Sequence, residues 1–588
     1  MAADVNPKLQ TNRVADLPST VRPGRKMALV CMAAGVGVLA VFSVAAMGEG
    51  RRFQLFDLLA VAGGQWKPSG RTWMRFFVYM AVTVIVSIVG VVLIGRIRSG
   101  ARRGETRVDV YARNMGYGTA TDKLSRRHAV DMAHRLVRDY DDKTMEPGYP
   151  LGVNLKDGRQ VSTSWEDMAV VFAGPRSGKS LCYAIPAVNS APGPCVATSN
   201  KGDIIDATRP VREHRFPDGR IWVFDPERIA DPDRTHANFV WDLIGSIRTI
   251  ADAKRIADCW RYASGQPQTG GDDFFPGTAA QQLADYLFAA HLGGRPISDV
   301  FKWASRERDD TPARIIRKHG GYDNIAARVA SVIALTPETR SGVFGSLQTM
   351  VAFLADPDLL DWVEPREDEN RPVFDARAFT LSRDTLYLLS AQGRPSTALT
   401  AAFTAMTAFT AFNIAQGECA YNNRRLPVPL CLVLDEAANI CRWPELADIY
   451  SYFGSAGIPI LTIWQNPDQG RAAFGETNFG SLFNNANTLV YIGGIKDARW
   501  LADLSNLVGQ REVVRGSVNV DAEGRRSINR SIQRESILDV SDLAEWPVGR
   551  ALVLASQCRA QIVRTVPWTD NPRWNELVRK SQGREVVQ

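Results

Sequence analysis

One stretch constrains this 588-residue chain more than any other. An apolar run, Val170-Val171-Phe172, leads into Ala173-Gly174-Pro175-Arg176-Ser177-Gly178-Lys179-Ser180, and an apolar helical pattern follows. A loop of this kind ends a buried strand and opens a helix, so that its backbone N–H groups and the positive helix end wrap a polyphosphate. Lys179 would reach the β- and γ-phosphates of a nucleotide such as ATP, and the Ser180 hydroxyl would ligate Mg²⁺. Ala173 stands where the strict pattern has Gly. Taken alone, the pattern also fits an ordinary strand-to-helix turn, so the surrounding elements decide.

Those elements are short, apolar and β-rich: 195–199, 221–225, 385–390, 430–435, 458–464 and 488–492. Most lack polar alternation and several are separated by helical patterns, the signature of a mostly parallel sheet covered on both faces. The fold class expected is a doubly wound α/β domain. Between 241 and 354 the alternation stops. There 250–262, 278–291, 311–318, 325–333 and 337–354 all read as helices, which predicts an all-helical insertion domain.

Two further strand ends carry chemistry. Leu430-Cys431-Leu432-Val433-Leu434 runs into Asp435 and Glu436. An acid at the carboxyl end of a buried strand beside a phosphate loop is where Mg²⁺ is held through water, the role expected of Asp435. Glu436 would orient and polarise the water that attacks the γ-phosphate. The next strand ends in Gln465, which either contacts the γ-phosphate or caps a turn.

Ahead of these motifs lie two uncharged runs, 27–47 and 76–94, each long enough to cross a bilayer as a helix. Basic residues flank them on the outer sides, Arg22, Arg25 and Lys26 before the first and Arg96, Arg98 and Arg102 after the second. The bias predicts a two-pass anchor in the cell membrane with both termini cytoplasmic. The eight cysteines are scattered without a CxxC pair, so neither a disulfide framework nor a zinc site is expected. A net charge of +7 is too small to argue by itself for nucleic acid.

The chain resembles the TraG/VirD4 family of type IV secretion coupling proteins. The matching parts are the two spans, the Gly-Pro-Arg-Ser-Gly-Lys-Ser loop, Asn200-Lys201-Gly202-Asp203, Phe224-Asp225-Pro226, the helical insertion, Leu434-Asp435-Glu436-Ala437 and Gln465. It departs from the family pattern at Ser199-Asn200, Ala437 and Asn466. The resemblance implies a RecA-like P-loop NTPase domain with an all-helical insertion domain, an ATPase assembled as a homohexamer with ATP and Mg²⁺ between subunits. It also implies relaxase-bound, single-stranded DNA as the cargo, and membrane-channel components of a type IV secretion system as partners. A trans-acting arginine has no confident counterpart; Arg176, Arg424 and Arg425 are candidates. Arginines between 511 and 534 either meet DNA phosphates or decorate a solvated hairpin.

The expected domains are a cytoplasmic tail (1–26), a membrane anchor (27–95), a stem (96–165), the nucleotide domain (166–240 with 355–566), the insertion (241–354) and a tail (567–588). The rival readings are a duplex-DNA pump resembling FtsK, a protein-secretion ATPase, and a membrane docking adaptor that binds nucleotide without turnover.

Overall fold

An 11-stranded sheet organises the unit Thr106–Gln588 in the computed structural model, which describes residues 37–48, 57–83, 106–265, 274–520 and 526–583. In chain order the strands are β1 (Pro150–Asn154), β2 (Gln160–Ser162), β3 (Ala169–Phe172), β4 (Cys195–Ser199), β5 (Ile221–Phe224), β6 (Thr385–Leu389), β7 (Cys431–Leu434), β8 (Ile460–Trp464) and β9 (Thr488–Tyr491). A separate hairpin follows, β10 (Gln510–Val520) with β11 (Arg526–Ser536), and then β12 (Arg550–Ala555) and β13 (Gln561–Arg564). The sheet order is β2-β1-β13-β12-β9-β3-β8-β7-β4-β6-β5.

From β9 to β5 every pairing is parallel. The six runs expected as strands after the loop are β4 to β9. Their lack of polar alternation follows from burial on both faces, and period-two alternation still sorts the side chains. Val170, Phe172, Leu432 and Leu434 face one core with the long helix Ser396–Glu418 and the helices between β5 and β6. Val171, Ala173, Cys431 and Val433 face the other, with Ile185, Val188, Ile204 and Ala207 from the helices Ile185–Ser190 and Asp203–Arg215.

β5 and β6 are neighbours, yet more than a hundred residues separate them in sequence. That excursion is helical, including Ile250–Ala263, Phe274–Leu292, Thr311–His319, Asp323–Ile333 and Pro337–Val351. It returns at an isolated parallel bridge between Val240 and Val373.

The four antiparallel strands at one side of the sheet have no counterpart in the sequence expectations. β1 and β2 come from the stretch read as a stem, so from Thr106 onward that stretch belongs to the sheet unit. The expected tail likewise contains a helix, Pro572–Ser581, whose Val578 is buried. In the hairpin, Arg511 lies 3.9 Å from Glu535 and Arg534 3.8 Å from Glu512, so these two arginines have acidic partners across the strands.

Asp109 fastens the start of this unit to the added strands. Its carboxylate accepts from Arg550 Nε and Nη2, each at 2.7 Å, and from the Thr106 N–H and hydroxyl. Burial pushes the Asp109 carboxyl up, but Arg550 and Thr106 more than offset it and hold it below its ordinary 3.8. The stability this adds is present above about pH 4 and is lost as the pH falls through the lower folded value. Asp109→Ala is expected to cost about 2 kcal/mol at neutral pH, because Arg550, 8% exposed, loses its carboxylate. Thermal melts at pH 7 and pH 3 test this: the gap between wild type and variant should narrow at the acid end.

Within Met1–Glu105 the described residues form the helix Gly37–Met47, the short helix Asp57–Ala62 and a helix over 70–83. Phe42 meets Phe76 edge-on at 5.2 Å. The remainder of the expected spans, 27–36 and 84–94, lies outside the described residues. The two-span expectation is therefore not supported here. Among the described residues, the one helix long and apolar enough to cross a membrane is Ser396–Glu418, and 78% of its most apolar stretch is buried within the sheet unit. Its apolarity is that of a core helix covered all round.

Candidate active site

Strand order decides which residues meet. β8 lies between β3 and β7, with Trp464 level with Phe172 and Thr462 level with Leu434. Because the three strands are parallel, whatever follows each of them emerges at one carboxyl edge, where doubly wound sheets receive ligands. The loop 173–180 follows β3, Asp435 and Glu436 follow β7, and Gln465 follows β8.

The loop is pinned by backbone. The Ala173 N–H donates to the Trp464 carbonyl at 2.9 Å, and the Gly174 N–H to the Gly493 carbonyl at 2.8 Å. Pro175 and Arg176 form the exposed tip, with Arg176 at φ 60° and Gly178 at φ 89°. Ser177 Oγ donates to the Gly174 carbonyl at 2.6 Å. Beyond Ser180 the first turn is wide, closed by the Ile185 N–H on the Ser180 carbonyl, a form that recurs at functional sites. Gly174 cannot carry a side chain: a Cβ there would stand 2.5 Å from the Gly494 carbonyl oxygen. Gly174→Ala is expected to displace the loop and weaken nucleotide binding at least tenfold, which titration with a fluorescent ATP analogue would measure.

Charge is concentrated where the three strand ends meet. Lys179 Nζ pairs with Glu436 Oε1 and lies 3.3 Å from Asp435 Oδ1. Ser180 Oγ donates to Asp435 Oδ2 at 3.2 Å. Gln465 Nε2 donates to both Glu436 oxygens, at 2.5 and 2.6 Å, and Asn439 Nδ2 donates to Glu436 Oε2 at 2.7 Å. Glu436 has φ 56°, a left-handed backbone that turns its carboxylate back toward Lys179 and Gln465.

Burial pushes the Asp435 carboxyl up, with the Lys179 ammonium opposing and the Glu436 charge adding to the rise. For Glu436 burial acts in the same direction, but hydrogen bonding and charge from Lys179, then Gln465 and Asn439, outweigh it and hold the carboxyl below its ordinary value. The two neighbouring acids are thus pushed apart, one toward the neutral form and one toward the charged.

The donor set suits Mg²⁺ held mainly by phosphate and water. Among the described residues no group of three or more His, Cys, Asp or Glu side chains is placed to hold a metal ion. Ser180 Oγ and Asp435 Oδ2 nevertheless stand side by side, a hydroxyl and a carboxylate of the kind Mg²⁺ takes when substrate oxygens complete its shell.

All the sequence-derived site residues thus lie at this edge, and three further ones join them. Asn439 stands three residues after Glu436, one helical turn on. The Thr198 hydroxyl at the end of β4 donates to the Asp435 carbonyl at 3.0 Å. Gly494 packs against Gly174. The candidate arginines fare differently. Arg176 and Arg424 are exposed, but Arg425 is buried and occupied, donating to the Trp165 carbonyl at 2.7 Å and the Gly454 carbonyl at 2.9 Å. It is a structural residue, and the expectation of a finger there is corrected.

Residues 429–548 match the family model described as the TraM recognition site of TraD and TraG. That segment contains Asp435, Glu436 and Gln465. The resemblance to the TraG/VirD4 family holds. No curated protein matches the chain. Among solved structures, the bacterial conjugative coupling protein TrwBdeltaN70 in its unbound monoclinic form superposes with a TM-score of 0.52 at 16% identity, over 73% of this chain and 92% of that one. The plasmid coupling protein TrwB in complex with ADP and Mg²⁺ gives 0.52 at 15% identity, over 76% and 92%. At these identities the likeness is one of fold: this α/β sheet resembles that of the coupling protein TrwB.

Proposed function

We propose that this chain is a membrane-anchored coupling ATPase of type IV conjugation, which uses ATP hydrolysis to recruit relaxase-bound single-stranded DNA and move it to a secretion channel. The observation that carries this reading is the convergence of Lys179, Ser180, Asp435, Glu436 and Gln465 on one sheet edge. Family likeness over 429–548 and a sheet like that of a coupling protein solved with ADP and Mg²⁺ support it.

In this reading Mg²⁺ neutralises charge on the β- and γ-phosphates when bound, with Ser180 and Asp435 as the residues that hold it. The loop N–H groups and Lys179 bind the phosphates. Lys179 begins paired with Glu436, so an arriving γ-phosphate competes for the ammonium and releases the carboxylate. Glu436, already kept charged, then accepts a proton from water, while Asn439 and Gln465 hold its direction. Gln465 bridges Glu436 and β8, which gives the strand end a means of sensing loss of the γ-phosphate.

The finer parts of the proposal are a two-pass anchor, cytoplasmic ATPase domain, homohexameric ring and an arginine supplied in trans, all implied by the family resemblance. The helices between β5 and β6 are the insertion domain in this account. The family model's description supports a TraM-type protein as a partner for residues 429–548. Deleting the gene from a conjugative donor should reduce DNA transfer to background, and the intact gene should restore it. Undiminished transfer from the deletion strain would remove the coupling role.

A further inference from the structure

The loops that follow β6 and β7 leave the sheet at the same carboxyl edge as the nucleotide loop. With the carboxy-terminal ends of the helices Ile250–Ala263 and Pro337–Val351, they border a cleft of about 320 Å³. That is the lower end of the range for small-molecule pockets, about 300–1,000 Å³.

The charge on its lining is of one sign. Arg394 and Arg442 border the cleft, and no acid does. Arg442 is half-buried and has carbonyls for partners, its Nε donating to Ala438 at 3.1 Å and its Nη1 to Tyr262 at 3.4 Å. Burial pushes its guanidinium down, and no neighbouring charge opposes the shift. Arg394 is exposed on the loop after β6. Glu227 braces that loop, accepting from the Ser396 hydroxyl and from the Ala391 N–H, the latter at 2.7 Å. Ala263, Ala352 and Phe353 supply an apolar part of the wall.

The cleft also reaches the catalytic edge. Asn439 borders it, and Asn439 Nδ2 is the donor that meets Glu436 Oε2 at 2.7 Å. Asn439 and Ala438, whose carbonyl Arg442 holds, share the one-turn helix Ala437–Ile440. A group that draws on Arg442 therefore acts on the turn that aims Glu436.

We propose that this cleft takes one nucleotide of single-stranded DNA, with backbone phosphates meeting Arg394 and Arg442 and the base against the apolar wall, and that its occupancy is passed to Glu436 through Asn439. The proposal rests on the motor reading above. Cations beside an aromatic, apolar wall are the chemistry that holds single strands without regard to sequence. A phosphate competes with the Ala438 carbonyl for Arg442 and so frees the turn that carries Asn439. The coupling is reciprocal: nucleotide at Lys179 changes the affinity of the cleft by the factor with which DNA changes the affinity for nucleotide.

Fluorescence anisotropy of a labelled oligo-dT on the full-length chain, with and without a non-hydrolysable ATP analogue, tests the site. Arg394→Gln and Arg442→Gln should each weaken oligo-dT binding about tenfold or more, the loss of a charged hydrogen bond. Arg314→Gln, at an exposed arginine of the helix Thr311–His319, should leave it unchanged. In wild type the analogue should shift the oligo-dT affinity about fivefold or more. In Asn439→Ala the oligonucleotide should still bind, and that shift should vanish. Arg394 is exposed, so its arm stands if the Arg442 variant fails to fold. Wild-type affinity in Arg394→Gln, an equal loss in Arg314→Gln, or an analogue effect kept in Asn439→Ala overturns the proposal and leaves the motor standing. A wild type that binds no oligo-dT contradicts the motor itself. A polyglutamate peptide that displaces the label as well as unlabelled oligo-dT does would make the occupant an acidic protein segment and overturn the assignment to nucleic acid.

Discussion

Glu436→Gln is expected to lower ATP turnover by about 10²–10⁴-fold, the range for loss of a general base, while nucleotide still binds. The substitution preserves shape and removes the acceptor. Glu436 receives donors from Lys179, Gln465 and Asn439, an environment suited to a carboxylate and unsuited to an amide, whose NH₂ would face other donors. The hydrogen bonds that hold the loop backbone, from Ala173, Gly174 and Ser177, do not pass through Glu436. Steady-state kinetics should show the loss in kcat, with affinity for a non-hydrolysable analogue retained.

Lys179→Ala is expected to abolish nucleotide binding and also to destabilise the free protein. The first effect follows from losing the loop's lysine, whose ammonium stands where the strand ends converge. The second follows from geometry: Asp435 and Glu436 are 2% and 5% exposed, and Lys179 is the ammonium that both face. Removing one partner of a buried charge cluster costs about 3 kcal/mol, most of it the burden of carboxylates left unmatched. A clear fall in melting temperature without nucleotide, together with no rise on adding ATP and Mg²⁺, is the expected pair of results. Lys179→Arg should recover much of the stability and little of the binding, since a guanidinium matches carboxylates and is too wide for the loop.

The sequence exposed the parallel half of the sheet because a strand buried on both faces is a short apolar run, and β4 to β9 all have that form. The positions of the candidate site residues were legible for the same reason: Asp435, Glu436 and Gln465 follow such runs directly, and Lys179 lies in the loop after another. The antiparallel half was hidden. β1 contains Pro150 and Gly152, β2 has three residues, and β13 ends in Arg564, so none stands out from a polar connector. Asn439 was equally hard to see, because an Asn one turn beyond an acid looks like any surface amide until the left-handed backbone at Glu436 brings the two together. Arg425 misled in the opposite way, as an arginine in a polar stretch that proves to be buried against backbone carbonyls.

The proposed function requires hydrolysis at the Lys179–Glu436 site to be coupled to DNA. ATP turnover by the full-length chain, measured with and without single-stranded DNA beside Glu436→Gln, tests it most directly. The expected result is a wild-type rate that rises several-fold on adding single-stranded DNA, more than on adding duplex, and a variant that stays inert in both. A wild-type rate indifferent to DNA and equal to that of Glu436→Gln would contradict the motor and leave a nucleotide-binding adaptor.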